Sequence, residues 1–309
     1  MKNTFINTLM DAAITREDMV IATGDAGMGV WDTFMTRCPD RFLNLGIAEQ
    51  NAIGVAAGLA FGGKRVVLYN IIPFLLFRAF EQVRNDICSH NLPVILCGIG
   101  AGVTYGPAGM THYAIEDLGV ARALPELTIY SPADGIEARL AAEHAMTLAG
   151  PSYARFAKKR DGQLHKATAF DLSQPPPLRD ADDPHVVIAT HGSIASETVA
   201  AVTALGEQGI RVKVQSFPII APLDAAQVGA RLPLGIPILV VEEHRASCGL
   251  FGALASTLAA ARLDRNLIPA ALPERSLHEV RSREGFRTLF GIDAAGLGQR
   301  ITELLGART

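Results

Sequence analysis

Charge is scarce in this sequence, and what there is nearly cancels. Only 19% of the 309 residues are Asp, Glu, Lys or Arg, and 28 basic against 31 acidic side chains leave a net charge of −3. No basic field is available to hold a nucleic-acid backbone or an anionic membrane surface. Long apolar runs are missing too. The strongest, residues 71–77, contains Pro73 and ends at Arg78, well short of the ~20 residues a bilayer-spanning helix needs. The N-terminal segment carries Asp11, Glu17 and Asp18 where a secretory signal would keep an unbroken apolar stretch, so a cytoplasmic location is expected. There are four cysteines, Cys38, Cys88, Cys97 and Cys248, without C-x-x-C spacing. That pattern excludes a disulfide framework, a thiolate metal site or a cysteine nucleophile as the organising chemistry and points to buried free thiols. Apolar side chains, by contrast, make up 49% of the chain, enough for two cores at roughly 100–200 residues per domain and unlike a disordered composition.

Short apolar runs alternate with segments of helical period. An amphipathic helix bearing Phe5, Ile6, Leu9, Met10 and Ala13 precedes an apolar strand at 19–23. Strands are predicted at 41–45, 65–69, 92–98, 127–130 and 152–156, with helices at 49–61, 77–90, 114–123 and 135–148 between them, the alternation of a parallel α/β sheet. Residues 158–183 turn charged and proline-rich, including Gln174-Pro175-Pro176-Pro177, and read as an extended outer linker. A second alternating set follows, with strands at 186–190, 210–216 and 236–242 and helices at 196–208, 249–261 and 294–305. The fold class is α/β: two α/β domains with mostly parallel sheets, residues 1–160 and 185–309, joined by a linker at 161–184.

Three segments occupy equivalent places, each just after a predicted strand. In Asn44-Leu45-Gly46-Ile47-Ala48-Glu49-Gln50-Asn51, Gly46 permits an abrupt turn and Glu49 opens a helix. A glutamate there can simply complement the helix dipole in water. The small residues Ala48, Ala52 and Ala56, with Leu59, also make a face suited to another backbone, which would place Glu49 in an interface instead. The second segment runs from Pro73 to Asp86. The third, Gly106 to Asp117, brings His112 after a glycine-rich loop in which Tyr105 is the only large side chain. Phenylalanines at such density ordinarily belong to a core, and a histidine after a loop is ordinarily a solvated polar group. The signal lies in the order of all three.

Gly46-Ile47-Ala48-Glu49-Gln50-Asn51, Phe74 to Asp86 as F-x-x-x-R-A-F-E-Q-V-R-N-D, and Gly109-Met110-Thr111-His112-Tyr113-Ala114-Ile115-Glu116-Asp117 together resemble the C-terminal half of the transketolase and 1-deoxyxylulose-5-phosphate synthase group. Ser131-Pro132-Ala133-Asp134, Val240-Val241-Glu242-Glu243-His244 and Ser282-Arg283-Glu284-Gly285 extend the likeness over nearly the whole chain. It is similar in particular to split transketolases, whose catalytic unit is divided between two polypeptides. The resemblance implies a pyrimidine-binding domain followed by a transketolase C-terminal domain, with the diphosphate-binding domain absent. Thiamine diphosphate is then the cofactor, and Mg²⁺ takes its ligands from a partner. That partner is an N-terminal diphosphate-binding transketolase subunit, arranged around a homodimeric core in an α2β2 heterotetramer. Gly24-Asp25-Ala26 followed by Asn51 imitates the metal–diphosphate motif G-D-G…N, but it lacks the final glycine and sets Asn51 in a predicted helix. It reads as coincidence, and no metal ligand is assigned on this chain.

By the same resemblance Glu49 and His112 are catalytic. The family's glutamate bonds N1′ of the aminopyrimidine and promotes loss of the thiazolium C2 proton, and its histidine faces the reacting carbonyl. A glutamate in that role needs burial at a subunit interface to raise its proton affinity. Asp25, Glu49, Phe74, Phe77 and Arg78 are implied cofactor contacts, with Phe74 as the aromatic face on the pyrimidine and Phe77 its rival. His112, Tyr105 and Arg155 are implied substrate contacts, Arg155 gripping a phosphate from a strand end. The plain alternatives are a turn residue for Asp25 and a solvated basic cluster for Arg155 with Lys158 and Lys159; His191 reads as a strand-end polar residue. Counted back from His112, two positions that hold a histidine and an aspartate in ordinary transketolases are Gly100 and Ala108. The pocket is therefore expected to disfavour xylulose 5-phosphate and to favour a deoxy, modified or differently branched sugar, with Tyr105 in the vacated space. The implied activity is transfer of a two-carbon ketol unit between sugars or sugar phosphates. A 2-oxo acid dehydrogenase E1 β-type subunit, which has the same domain pair, and a non-catalytic scaffold are the alternatives.

Overall fold

Apolar strands of three to eight residues, separated by helices, build two sheets in the computed structural model, which describes residues 1–27, 29–158 and 162–306. The first sheet is formed by β1 (Met19–Thr23), β2 (Phe42–Asn44), β3 (Arg65–Ile71), β4 (Val94–Ile99), β5 (Thr128–Tyr130) and β6 (Ser152–Phe156), ordered 2-1-3-4-6-5 and all parallel. β1, β4 and β6 are buried at every position, as a sheet covered by helices on both faces requires. The order 2-1-3 means that the chain leaves β1 first to one side and then to the other. At such a switch point α/β sheets open a crevice beyond the strands' C-terminal ends.

The second sheet contains β7 (Val186–Thr190), β8 (Val212–Ser216), β10 (Ile238–Arg245) and β11 (Leu267–Leu272), ordered 11-10-7-8 and parallel. The intervening β9 (Ile219–Ala221) does not join it. It crosses to the first sheet and pairs antiparallel with β5 at the edge. Residues 162–185 also hold to the domains. Asp134 Oδ2 accepts the backbone N–H groups of Leu164 and His165 at 2.9 and 2.8 Å, and Leu178 and Arg179 exchange backbone hydrogen bonds with Val214.

Three local departures from the sequence reading bear on the site. The helix Glu49–Phe61 turns Ala52, Ile53, Ala56, Ala57 and Ala60 into the core. The small-residue face expected for an interface is thus largely internal, and Gln50, Asn51, Gly54, Gly58 and Phe61 face solvent. The helix expected over 77–90 begins at Pro73 and is widened into π turns at Pro73–Phe77 and Val83–Cys88, either side of the short Phe80–Gln82 helix. The helix expected over 114–123 shrinks to Asp117–Arg122, because Ala114 forms an antiparallel bridge with Gly102 and closes the preceding loop. All four cysteines are free thiols. Among the described residues no helix is long and apolar enough to cross a membrane.

Candidate active site

The segments singled out from the sequence leave successive strands at the same end of the first sheet. Gly24 and Asp25 follow β1, Glu49 follows β2, Phe74 and Arg78 follow β3, the loop 100–112 follows β4, and Lys158 follows β6. Gly46, in a left-handed conformation at φ +66°, turns the chain back toward β1. Gly24 lies so close to it that a Cβ there would sit 2.7 Å from Asn70 Nδ2 and 3.1 Å from Gly46 O. The approach to Glu49 is therefore packed against the exit of β1. Asp25 is exposed and lines a neighbouring cleft of about 310 Å³ with Asp32, Phe42 and Asn44.

Glu49, the first residue of its helix, is only 6% exposed, and its Oε2 accepts a hydrogen bond from Arg78 Nη1 at 2.9 Å. Among the described residues Oε1 has no hydrogen-bond donor. The π turn sets up the pairing: Arg78 N–H reaches back five residues to Pro73 O at 3.1 Å, and the wider turn stacks Arg78 over Phe74, with Cζ 4.3 Å from the ring centroid. Single π turns recur at functional sites because they re-aim side chains in this way. Phe74 in turn meets His112 edge to face, the ring centroids 5.4 Å apart at 74°. His112 meets Tyr105 at 6.2 Å and 72°, and Lys158 Nζ lies 5.4 Å from the Tyr105 centroid. Glu49, Arg78, Phe74, His112, Tyr105 and Lys158 thus form one continuous row. Phe77 packs against the core instead.

Arg155 does not join that row. It is 4% exposed, and its guanidinium donates from Nε to Asp117 Oδ2 at 2.8 Å and from Nη2 to Asp117 Oδ1 at 3.2 Å and Ala114 O at 3.1 Å. Asp117 also accepts from the Tyr153 hydroxyl at 2.8 Å and lies 3.4 Å from His244 Nε2 of the second domain. Burial pushes the Asp117 carboxyl upward, but the Arg155 charge and the surrounding hydrogen bonds outweigh it and hold the group down at about 2. The fork that would suit a phosphate is closed around Asp117, so neither the expected phosphate grip nor a solvated cluster describes Arg155. Among the described residues the exposed cation at this strand end is Lys158, and Lys159 lies outside them. The sequence does carry the signal: Arg155 falls inside an otherwise uncharged buried strand, where a charge persists only when paired, and Lys158 is the first cation beyond it. His191, just past β7, is buried and hydrogen-bonded through Nδ1 to Ser131 Oγ at 2.8 Å.

Chemically, the row offers a buried carboxylate with one free oxygen, an aromatic ring beside it, an imidazole, a phenol and an ammonium group. His112 Nδ1 is bonded to Thr111 Oγ1 at 2.9 Å, which leaves Nε2 for a ligand. A planar nitrogen heterocycle fits the first end and an oxygen-rich anion the second. Among the described residues no group of three or more His, Cys, Asp or Glu is placed to hold a metal ion.

Comparison with known proteins agrees with this arrangement. Residues 1–161 match the transketolase pyrimidine binding domain, and residues 178–297 match the transketolase C-terminal domain. One subunit of the apulose-4-phosphate transketolase of Actinobacillus succinogenes is 34% identical over 262 residues, 84% of this chain and 84% of that protein. The protein of the same name from Phocaeicola vulgatus is 28% identical over 98% of this chain and 97% of its own length. A solved split gene transketolase, an inactive beta4 tetramer, is 26% identical and superposes with a TM-score of 0.84, covering 98% of this chain and 97% of its own. With both halves matched and the strand exits carrying a carboxylate, an aromatic and a histidine in this order, the chain belongs to the transketolase family of thiamine diphosphate-dependent enzymes.

Proposed function

We propose that this chain is the pyrimidine-binding subunit of a two-chain transketolase that moves a two-carbon ketol unit between sugars or sugar phosphates. The observation that carries this reading is the contiguous placement of Glu49, Arg78, Phe74 and His112 at the crevice of the first sheet. The free Oε1 of a buried carboxylate beside an aromatic ring suits an aminopyrimidine. When bound, thiamine diphosphate supplies the electron sink for breaking and forming the carbon–carbon bond.

The protein's own residues do the rest. Glu49 holds a proton at Oε1 against a ring nitrogen, and Arg78 fixes its other oxygen. Phe74 gives the ring an apolar neighbour and excludes water, while Phe77 braces the turn from the core. Asp25, in the neighbouring cleft, would contact the cofactor from that side. His112 Nε2 faces the substrate oxygen on which charge develops. Lys158, in place of Arg155, meets the anionic end of a phosphorylated sugar as a flexible point charge; relatives named for apulose 4-phosphate support such a substrate.

Two of the relatives are named as a single subunit of a transketolase, and the similar split gene tetramer of beta chains is described as inactive. Both support a partner chain; we infer that it carries the diphosphate-binding domain and the Mg²⁺ ligands, in a cytoplasmic α2β2 heterotetramer with a homodimeric core. The purified chain, mixed with the product of a neighbouring coding sequence bearing G-D-G…N, thiamine diphosphate and Mg²⁺, is expected to show ketol transfer that neither chain shows alone. Substantial turnover by the pure single chain would overturn the two-chain reading.

A further inference from the structure

Tyr105 is held where it is by a glycine. Gly100 has φ +100°, and a Cβ built on it would lie 2.5 Å from Tyr105 Cε2 and 2.6 Å from Cδ2, so the ring rests directly on the Gly100 backbone. The loop that carries the ring is tied down along its length. Gly100 and Ala101 N–H both donate to Phe156 O at 2.8 and 3.0 Å, Gly102 and Ala114 exchange hydrogen bonds, and Ala108 N–H donates to Tyr105 O at 2.8 Å. Val103 N–H donates to Glu243 Oε1 of the second domain at 3.0 Å. The ring is half-buried, with His112 on one side and the Lys158 ammonium over it. Among the described residues its hydroxyl has no hydrogen-bond partner. A fixed aromatic wall with a free phenol donor thus stands between the imidazole and the cation of the site.

We propose that the Gly100–Tyr105 pair is the specificity determinant of this site. The ring sets how much substrate fits between His112 and Lys158, and the hydroxyl hydrogen-bonds an oxygen of the sugar chain, so that short phosphorylated sugars are accepted and longer ones rejected. This rests on the ketol-transfer reading. A side chain at position 100 would displace the ring, and removing the ring would leave open space above Gly100 that a longer chain can use.

The test compares a five-carbon with a seven-carbon ketose phosphate as donors for the reconstituted two-chain complex, in wild type, Tyr105→Ala and Tyr105→Phe. Melting temperature and thiamine diphosphate binding, followed by fluorescence quenching, serve as controls that the variants fold and load. Tyr105→Ala is expected to raise the seven-carbon to five-carbon ratio of kcat/KM about tenfold. Tyr105→Phe, which keeps the wall, is expected to raise KM for both donors about fivefold at nearly constant kcat and so to leave that ratio in place. An active wild-type complex whose ratio does not move in Tyr105→Ala overturns this inference alone. A loaded wild-type complex inert toward every sugar overturns the ketol-transfer reading, and this inference with it.

Discussion

Glu49 and Asp25 are carboxylates at the same end of the same sheet, yet one is buried against a guanidinium and the other is open to water. The Arg78 guanidinium fixes one oxygen of Glu49 and leaves the other to meet a ring nitrogen. Glu49→Gln keeps shape and burial but fixes an amide where a shareable proton would be. It is expected to leave folding and subunit assembly unchanged while lowering kcat of the reconstituted complex by about 10²-fold or more; unchanged turnover would show that another carboxylate has the role. The two cations of β6 and its exit separate in the opposite way. Lys158→Ala is expected to raise KM for a phosphorylated sugar about tenfold with little change in kcat, the worth of one exposed charge-assisted contact. Added salt should raise KM in the wild type and much less in this variant. An unchanged KM would place the anionic end of the substrate elsewhere. Glu49, Phe74, Arg78, Tyr105 and His112 were all legible in the sequence, since each follows a strand within a recognisable run. The burial of Arg155 was signalled only by its place in an otherwise uncharged strand, and its partner was not legible at all, because Asp117 lies 38 residues away, beyond the reach of any local pattern.

The element that holds His112 in place is a closed loop rather than a helix. Ala114 bridges to Gly102, and the short helix Asp117–Arg122 is pinned through Asp117 to Arg155 of β6 and to His244 of β10. Asp117→Asn leaves the Arg155 charge buried without its counter-ion, at a cost of about 3–5 kcal/mol, and should lower the urea midpoint accordingly. A midpoint equal to wild type would show that the pair is dispensable. The pH dependence follows from the same group. Its folded value of about 2 lies below the ordinary ~3.9, so its contribution is complete above that ordinary value and is lost as pH falls through about 2. Acid unfolding curves should therefore lose part of their low-pH limb in Asp117→Asn. Strand and helix alternation in the sequence foretold β1 to β8 and β10, whose apolar runs are long enough to register. It missed β9 and β11 and the π turns at Pro73–Phe77 and Val83–Cys88. β9 is bounded by Pro218 and Pro222 and β11 carries Pro269 at its centre, and proline argues against a strand reading; a π turn changes the hydrogen-bond span without changing the apolar pattern that announces a helix.

Across the molecule, a second buried carboxylate ties the two domains and the connecting segment together. Glu137, near the start of the helix Gly135–Thr147, is fully buried, with Oε2 accepting the Ala133 N–H at 2.5 Å and Oε1 3.6 Å from His165 Nε2. Burial pushes its carboxyl up to about 7, against the opposing charge of His165 and the adjacent Ser216 hydroxyl of β8. A value raised above the ordinary carboxylate range contributes stability that is complete below that range and is lost as pH rises through about 7. The wild-type urea midpoint should accordingly fall from about pH 5 to about pH 7 and level off above it, and Glu137→Gln should flatten that slope; an identical slope in the variant would assign it to other groups. The layout of two parallel α/β sheets was plain from the sequence, whereas the crossing of β9 was not, because no local pattern tells a three-residue strand which sheet's edge it will find. That crossing has a mechanical consequence. A strand from the second half hydrogen-bonded into the sheet of the first acts as a rivet: the halves cannot swing apart about residues 162–185, and a protease cut in that segment should leave both fragments migrating together under native conditions and separating only in denaturant. Turnover is then expected to proceed without a hinge-bending step within this chain.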